Sequence, residues 1–476
     1  MTKPTIILAT SNGVGMGHLA RASAVALALK EVANPIIVSM AGGIAEIPSF
    51  MGIRCEYIPG KDRMWMPREK WDIYLRDRLL ALVEETDAKV LSFDGVIPYP
   101  GVIAAKNANP NLKLVWVRRG LWQKKPQRFV LGLQSAMMDM VIEPGDIARA
   151  YDFGPTATRK EAVLTSPVSL FRKEDAMSRE EARKVLGLDL NRPAALVQLG
   201  TGDGDVNEKM TAALTGLLGW KDLQVILTKA PVDKDGKSLA PEGLDLKVAR
   251  YFPLAKVLHA FDAGICATGY NGVHELLPAQ VPTVFVSNIR GTDDQEARAR
   301  WCNDFGFALR ADQADLADIT AKVKMLQDPE VRERLSQKCA ELPDTTGGEE
   351  IAEMLYQLAT TPKSKKASGI TYRRLLVQDR FSRGARHVIM LGLRRLALVY
   401  RFLNPHIKVQ EIDQAPPVFG EQTASAELHP LIKSSTRFEH IISGASAGYR
   451  KRREEIAFAA YEIGRASCRE RVCQYV

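Results

Sequence analysis

A histidine, a carboxylate and two clusters of glycines are the parts of this sequence best suited to chemistry. His18 closes the run Ser11-Asn-Gly13-Val-Gly15-Met-Gly17-His18, and Asp94 closes Ser92-Phe-Asp94 just before Gly95. Each follows a short apolar run that reads as a strand, which puts both side chains at the carboxyl edge of one parallel sheet. That edge is where open α/β sheets bind ligands. A histidine oriented and charge-stabilised by a carboxylate is a general base for taking a proton from a hydroxyl. Gly13, Gly15 and Gly17, at a strand-to-helix turn, let backbone N–H groups approach an anion, and the helix start adds partial positive charge. Their spacing is GxGxG rather than GxGxxG, and the second strand ends Val38-Ser39-Met40 with no acidic residue for an adenosine ribose. NAD binding is disfavoured on both counts.

The second cluster is more specific. Strand candidate Ala263–Ala267 runs into Thr268-Gly269-Tyr270-Asn271-Gly272-Val273-His274-Glu275, inside which a helix begins. Backbone donors at such a start suit a diphosphate. Glu275 lies about one turn in, where a carboxylate can accept hydrogen bonds from ribose hydroxyls. After the next strand comes Asp293-Asp294-Gln295, whose carboxylate and carboxamide groups are able to grip sugar hydroxyls.

The elements that must position these residues follow from hydrophobic patterning. Short apolar runs alternate with helical patterns through residue 361, the signature of α/β layers on parallel sheets. Strands are predicted at Thr5–Thr10, Pro35–Met40, Lys89–Phe93, Leu112–Val117 and Met140–Glu143, then at Ala194–Leu199, Leu223–Thr228, Leu246–Tyr251, Ala263–Ala267 and Thr283–Val286. Weak periodicity over Gly154–Pro167, ending at Ser166-Pro-Val168, marks a hinge. Ser178-Arg-Glu-Glu181 is a capping box that opens a helix, and Thr346-Gly-Gly-Glu349 opens a closing helix that runs to about Thr360. Four segments result: 1–168, 169–361, a basic and partly helical extension 362–461, and 462–476. The string Glu462-Ile-Gly-Arg-Ala-Ser-Cys-Arg-Glu-Arg-Val472 resembles the translated read-through of a sequencing adapter, so 462–476 are set aside as an artefact.

At 476 residues the chain has room for two or three domains with cores of their own. Its 46% hydrophobic and 25% charged residues are those of a globular protein. The net charge of +9 is not spread evenly: 21 basic and 10 acidic residues lie from Pro362 onward, against 44 and 46 before it. The surplus therefore belongs to a basic tail, and most of it falls between Lys363 and Lys408. On a helical wheel, Tyr372–Leu403 gathers Phe381, Val388, Ile389, Leu396 and Leu403 on one arc and Arg380, Arg383, Arg386 and Arg394 on another. This is the form of a helix lying on an anionic membrane surface. Nucleic-acid binding is not expected, since no basic patch interleaved with aromatics appears. Cys55, Cys266, Cys302, Cys339, Cys468 and Cys473 show no ligand or redox spacing and read as reduced thiols. With no signal peptide and no uncharged run of about 18 apolar residues, the expected location is cytoplasmic, peripheral on the inner face of the plasma membrane.

These motifs carry a family resemblance. Gly269-Tyr-Asn-Gly-Val-His-Glu275 resembles the Gly-Trp-Asn-Ser-Thr-x-Glu donor motif of UDP-dependent glycosyltransferases, and Asp294-Gln-Glu-Ala-Arg-Ala299 resembles their Asp-Gln-x-x-Asn-Ala segment. Asn12-Gly-Val-Gly-Met-Gly-His18 is similar to the glycine loop of the MurG-type N-acetylglucosaminyltransferases of bacterial cell-wall synthesis. The resemblance spans residues 4–361 and implies the GT-B fold: α/β, with two facing Rossmann-like parallel-sheet domains, the donor held mainly by the second. It implies Glu275 at the ribose, Asn271 with the Gly269–Gly272 backbone (Tyr270 included) at the diphosphate, Asp294 with Gln295 at the hexose, and the backbone of Tyr251-Phe252 at the uracil. His18 takes the family's base position and Asp94 that of its supporting carboxylate.

Three departures accompany the match: Gly272 replaces a hydroxyl residue, Arg298 replaces an Asn, and Asp203 puts a carboxylate in the loop Gly200–Gly204. The implied reaction is inverting transfer of a hexose or N-acetylhexosamine from a UDP-sugar to a hydroxyl of a cell-envelope glycan or glycolipid. The implied enzyme needs no cofactor besides the donor and no obligatory metal. The alternatives are a nucleotide-sugar 2-epimerase and a non-catalytic, membrane-associated nucleotide-sugar-binding subunit.

Overall fold

The computed structural model describes residues 3–11, 17–40, 47–61, 68–123, 130–200, 204–228, 241–249, 251–288 and 292–362. Gly13, Gly15, Asp203, the arginine-rich Tyr372–Leu403, Cys468, Cys473 and the adapter-like end lie outside the described residues.

Two parallel sheets form. The first holds β1 (Thr5–Thr10), β2 (Asn34–Ser39), β3 (Arg54–Tyr57), β4 (Val90–Asp94), β5 (Lys113–Val117), β6 (Met140–Glu143) and β7 (Ala162–Leu164), in the order 3-2-1-4-5-6-7. The second holds β8 (Ala194–Gln198), β9 (Gln224–Leu227), β10 (Asp245–Val248), β11 (Ala263–Ala267), β12 (Thr283–Val286) and β13 (Leu309–Ala311), in the order 10-9-8-11-12-13. The interior strands are near-continuous apolar runs, such as Ile6-Ile7-Leu8 and Val225-Ile226-Leu227, because helices cover both faces of a parallel sheet. Strand order reverses between β1 and β4 and again between β8 and β11, which opens a crevice at the carboxyl end of each sheet. The sequence predicts ten of these strands. The other three, β3, β7 and β13, are short edge strands.

Two helices tie the domains together. The helix Gly17–Leu29 buries every residue from Leu19 to Ala26. Its small side chains fit because the sheet covers one side and the closing helix Gly347–Thr360 packs on another. That closing helix, which the sequence groups with segment 169–361, thus returns to the first domain. Its start runs beside the other interdomain crossing: Gly347 N donates to Pro167 O at 3.1 Å, and Ser166 N donates to Glu350 Oε2 at 3.1 Å. A Cβ on Gly347 would stand 2.0 Å from Ser166 O, so only glycine fits the approach. Thr346 does not cap this helix through a backbone N–H; its hydroxyl donates to Glu350 at 2.8 Å. The capping box at Ser178 forms with both of its bonds. At the amino end of β5, Lys113 Nζ donates to the carbonyls of Leu358 and Thr361, fixing where the closing helix ends. Among the described residues, no helix is long and apolar enough to cross a membrane.

Candidate active site

His18 and Asp94 meet at the crevice of the first sheet. The β1–β4 register sets Thr10 beside Asp94, and the helix that follows β1 carries His18 back over the strand ends. His18 Nδ1 lies 2.6 Å from Asp94 Oδ1. One turn along the helix, Arg21 donates Nε to Asp94 Oδ2 at 3.0 Å and Nη2 to Oδ1 at 2.6 Å. Burial raises the Asp94 carboxyl, but the Arg21 charge and the hydrogen bonds from His18 and Arg21 outweigh it and hold it well below the usual carboxylate range. An ionised carboxylate only accepts, so Nδ1 carries the imidazole proton and Nε2 keeps its lone pair. Burial lowers the His18 pKa below 6.5, against the opposing pull of Asp94, and so favours the neutral ring. Burial alone would lower Arg21 as well, but Asp94 holds it raised.

The second domain presents a different surface. Gly269 opens the helix Tyr270–Leu276, and no side chain caps it. Val273 N makes the first intrahelical bond, to Gly269 O at 3.2 Å, so the Tyr270, Asn271 and Gly272 N–H groups precede it. A Cβ placed on Gly269 or on Gly17 would meet nothing within 4 Å; both glycines face open space. Glu275 has no hydrogen-bond or ion-pair partner among the described residues, and burial pushes its carboxyl up to about 8. Gly272 is dictated from behind, since a Cβ there would stand 2.8 Å from Cys266 Sγ. The hydroxyl residue that the resemblance implies at this position has no room beside Cys266.

Several side chains expected at the donor have other partners. Tyr270 turns away from the crevice: its hydroxyl donates to Gly145 O at 2.7 Å and accepts from Val168 N at 2.9 Å. The expectation at Tyr270 concerns its backbone; the side chain has a separate task, because a buried phenol must satisfy its hydroxyl and Gly145 and Val168 supply both partners. Asn271 Nδ2 donates to Gly17 O at 3.2 Å, across the domains, while its Oδ1 is buried without a partner among the described residues. Asp294 caps the helix Gln295–Asp304 by accepting from Ala297 N at 3.0 Å. Gln295 is buried, accepting from Asn288 N at 2.9 Å and donating to Asp293 at 3.3 Å. In this conformation neither Asp294 nor Gln295 is idle. Phe252 packs its half-buried ring against the core.

Between the domains lies a charged lock that sequence reasoning missed. Arg298, fully buried, donates to Asp146 Oδ2 at 2.8 Å, to Asp293 Oδ1 at 3.0 Å and to Thr268 O at 2.7 Å. His274 Nε2 accepts from Ile147 N at 3.1 Å, so its Nδ1–H donates to Tyr270 O at 2.7 Å. Burial lowers the His274 ring to about 4, and it is neutral. The backbones also join, through Gln123 N to Thr292 O at 2.8 Å and Asp294 N to Leu121 O at 2.9 Å. Arg21 leaves one sequence signal, its i,i+3 spacing from His18; Asp146 leaves none. No cluster of metal-binding side chains occurs among the described residues. Two Asp-x-Asp spacings, Asp203-Gly-Asp205 and Asp233-Lys-Asp235, do stand in the sequence, and their side chains fall outside the described set.

No protein-family model matches the chain. It is 26% identical over 292 residues to the UDP-N-acetylglucosamine--N-acetylmuramyl-(pentapeptide) pyrophosphoryl-undecaprenol N-acetylglucosamine transferase of Cutibacterium acnes, covering 58% of this chain and 74% of that protein. The protein of the same description from Rhodococcus jostii is 25% identical over 393 residues, 76% of this chain and 99% of that one. Among solved structures, Acinetobacter baumannii MurG aligns with a TM-score of 0.50 at 16% identity, over 74% of this chain and 99% of that one. A putative UDP-N-acetylglucosamine 2-epimerase from Listeria monocytogenes aligns with the same TM-score at 12% identity, over 76% and 100%. The structural likenesses carry the fold alone, which is GT-B. With the sequence relatives, the chain stands as a glycosyltransferase resembling the MurG type.

Proposed function

We propose that this glycosyltransferase moves a hexose or N-acetylhexosamine, with inversion, from a UDP-sugar to a hydroxyl of a lipid-linked cell-envelope glycan. The observation that carries the reading is the opposition of two edges. A neutral, carboxylate-oriented His18 faces a second domain whose Glu275, without a partner among the described residues, and uncapped Gly269–Gly272 turn suit a ribose and a diphosphate. The names of the sequence relatives support the donor and the lipid-linked acceptor. In the reaction, His18 Nε2 takes the acceptor proton as the oxygen attacks the anomeric carbon. The bond from that carbon to the phosphate oxygen breaks on the opposite face, and its electron pair leaves with UDP. Asp94 stabilises the imidazolium that forms, and Arg21 holds Asp94 in place. The basic stretch Tyr372–Leu403 supports docking to an anionic membrane, which would bring the enzyme to its acceptor.

The epimerase reading shares the fold, but it needs acid and base carboxylates in the cleft beyond Glu275. The described Asp94, Asp146 and Asp293 are each held by an arginine. Incubation of the purified protein with UDP-sugars and a pyrophosphoryl-lipid glycan tests the reading. Acceptor-dependent UDP release with a β-linked product from an α-linked donor is expected. Epimer formation, or donor binding with neither transfer nor hydrolysis, would overturn it.

A further inference from the structure

Arg119 stands two residues beyond β5, at the same sheet edge as His18 and Asp94. Its side chain is 14% exposed, and its nearest counter-charge, Asp293 Oδ2, is 3.7 Å away, outside hydrogen-bond distance. That Asp293 carboxylate already accepts from Arg298 at 3.0 Å and from Gln295 at 3.3 Å. Arg119 Nε is buried with no partner among the described residues. Among the described residues the Arg119 side chain donates no hydrogen bond, whereas its neighbours Arg21 and Arg298 are held by Asp94 and by Asp146 with Asp293. A guanidinium has five N–H donors in a fixed fork. Leaving them idle in a desolvated crevice is costly unless a ligand fills the fork. Burial accordingly pulls Arg119 below the usual arginine range.

Its position narrows the ligand. Asp293 and Arg298 link Arg119 to the carbonyl of Thr268, the residue before Gly269. On the other side, Arg21 lies 5.1 Å over the Tyr270 ring while gripping Asp94. Arg119, whose charge acts on His18 as well as on Asp293, thus adjoins the base and, through Asp293 and Arg298, the residue before the uncapped turn; on the transferase reading a phosphate ester lies near both. We propose that Arg119 binds a phosphate or diphosphate group in this cleft, with its fork meeting two oxygens at once. The group belongs either to the departing nucleoside diphosphate or to a pyrophosphate ester on the acceptor. In the first case, the pair released from the anomeric C–O bond settles on a phosphate oxygen facing Arg119. This inference rests on the transferase reading above.

The test uses Arg119→Gln and Arg119→Lys in the full chain, measuring affinity for UDP and for uridine. It also measures KM for a pyrophosphoryl-lipid glycan and for the same glycan without phosphate. If the leaving group is the ligand, Arg119→Gln weakens UDP by about ten- to a hundredfold and leaves uridine unchanged. If the acceptor is the ligand, only the KM of the phosphorylated glycan rises, by a similar factor. In either case Arg119→Lys recovers part of the loss. Equal values for wild type and Arg119→Gln in both arms would overturn the inference while leaving the transferase reading intact. So would losses that ignore phosphate and track a lowered Tm, the mark of a packing role. A wild-type protein that neither distinguishes UDP from uridine nor uses any acceptor would overturn the transferase reading, and this inference with it.

Discussion

The carboxyl edges of the two sheets are built on opposite principles. At the first, the base is locked before any substrate arrives: Asp94 holds His18, and Arg21 holds Asp94. At the second, Glu275 has no described partner, the Gly269 turn has no cap, and the space before Gly269 is open. A group that must hand over a proton in one geometry gains from being locked in advance. Groups that must grip a ligand gain from being left unsatisfied until it comes, because each bond it makes then relieves a standing desolvation penalty.

The sharpest way to break this comparison is to remove the locked base. His18→Ala should cut turnover by roughly 10²–10⁴-fold with UDP-sugar affinity unchanged, read by single-turnover transfer and calorimetry. Near-full turnover would move the base elsewhere. Asp94→Asn should give a similar but milder loss, because an amide can donate to Nδ1 and favour the wrong tautomer. Protonation disables the base and His18 is held below its ordinary value, so the acid limb of kcat/KM should fall below pH 6.5. In Asp94→Asn that limb should move lower still, since Asp94 is what raises His18.

Next in size is the lock between the domains. Arg298→Met strands Asp146 and Asp293 in the interior and should cost about 3–5 kcal/mol in denaturant unfolding. A smaller loss in the double variant Arg298→Met/Asp146→Leu would show that the stranded charge, not the missing packing, is responsible.

The unsatisfied edge answers to pH. Glu275→Gln should weaken donor binding by about ten- to a hundredfold at pH 8. Two ribose hydroxyls donate best to an ionised carboxylate, and burial pushes the free carboxyl up to about 8. Binding should therefore release a proton below pH 8 and strengthen as pH climbs to that value. Calorimetry in two buffers of different ionisation enthalpy checks this, and Glu275→Gln should flatten the dependence. The same raised value means that Glu275 contributes stability below its unfolded value of 4.5 and loses it as pH rises through about 8. The smallest effect is expected at Gly272. Gly272→Ser drives its Cβ to 2.8 Å from Cys266 Sγ and should destabilise by about 1–3 kcal/mol. Cys266→Ala should restore the thermal midpoint.

The interior of both sheets was legible because covered parallel strands read as unbroken apolar runs; β1, β6, β11 and β12 were predicted to the residue. The strands missed lie at edges. β7 leaves Val163 and Leu164 exposed, and β13 has three residues, so neither carries a run to recognise. His18, Asp94 and Glu275 were legible because each stands at a strand end or inside a motif. What a local pattern does not contain is a partner far along the chain. Tyr270 belongs to the donor motif by type, but its hydroxyl answers to Gly145, 125 residues away. Arg298 read as a bare departure because its counter-charge, Asp146, lies 152 residues off.

Lys113 decides where the basic extension sets out. It fastens Leu358 and Thr361 to the amino end of β5, whereas His18 and Arg119 stand at the carboxyl end, roughly 16 Å away for five residues of strand. Residues 363–371, fully extended, reach at most about 30 Å. An arginine-rich segment moored to a bilayer would therefore draw on the first domain at its rear edge, the end of the sheet opposite the base.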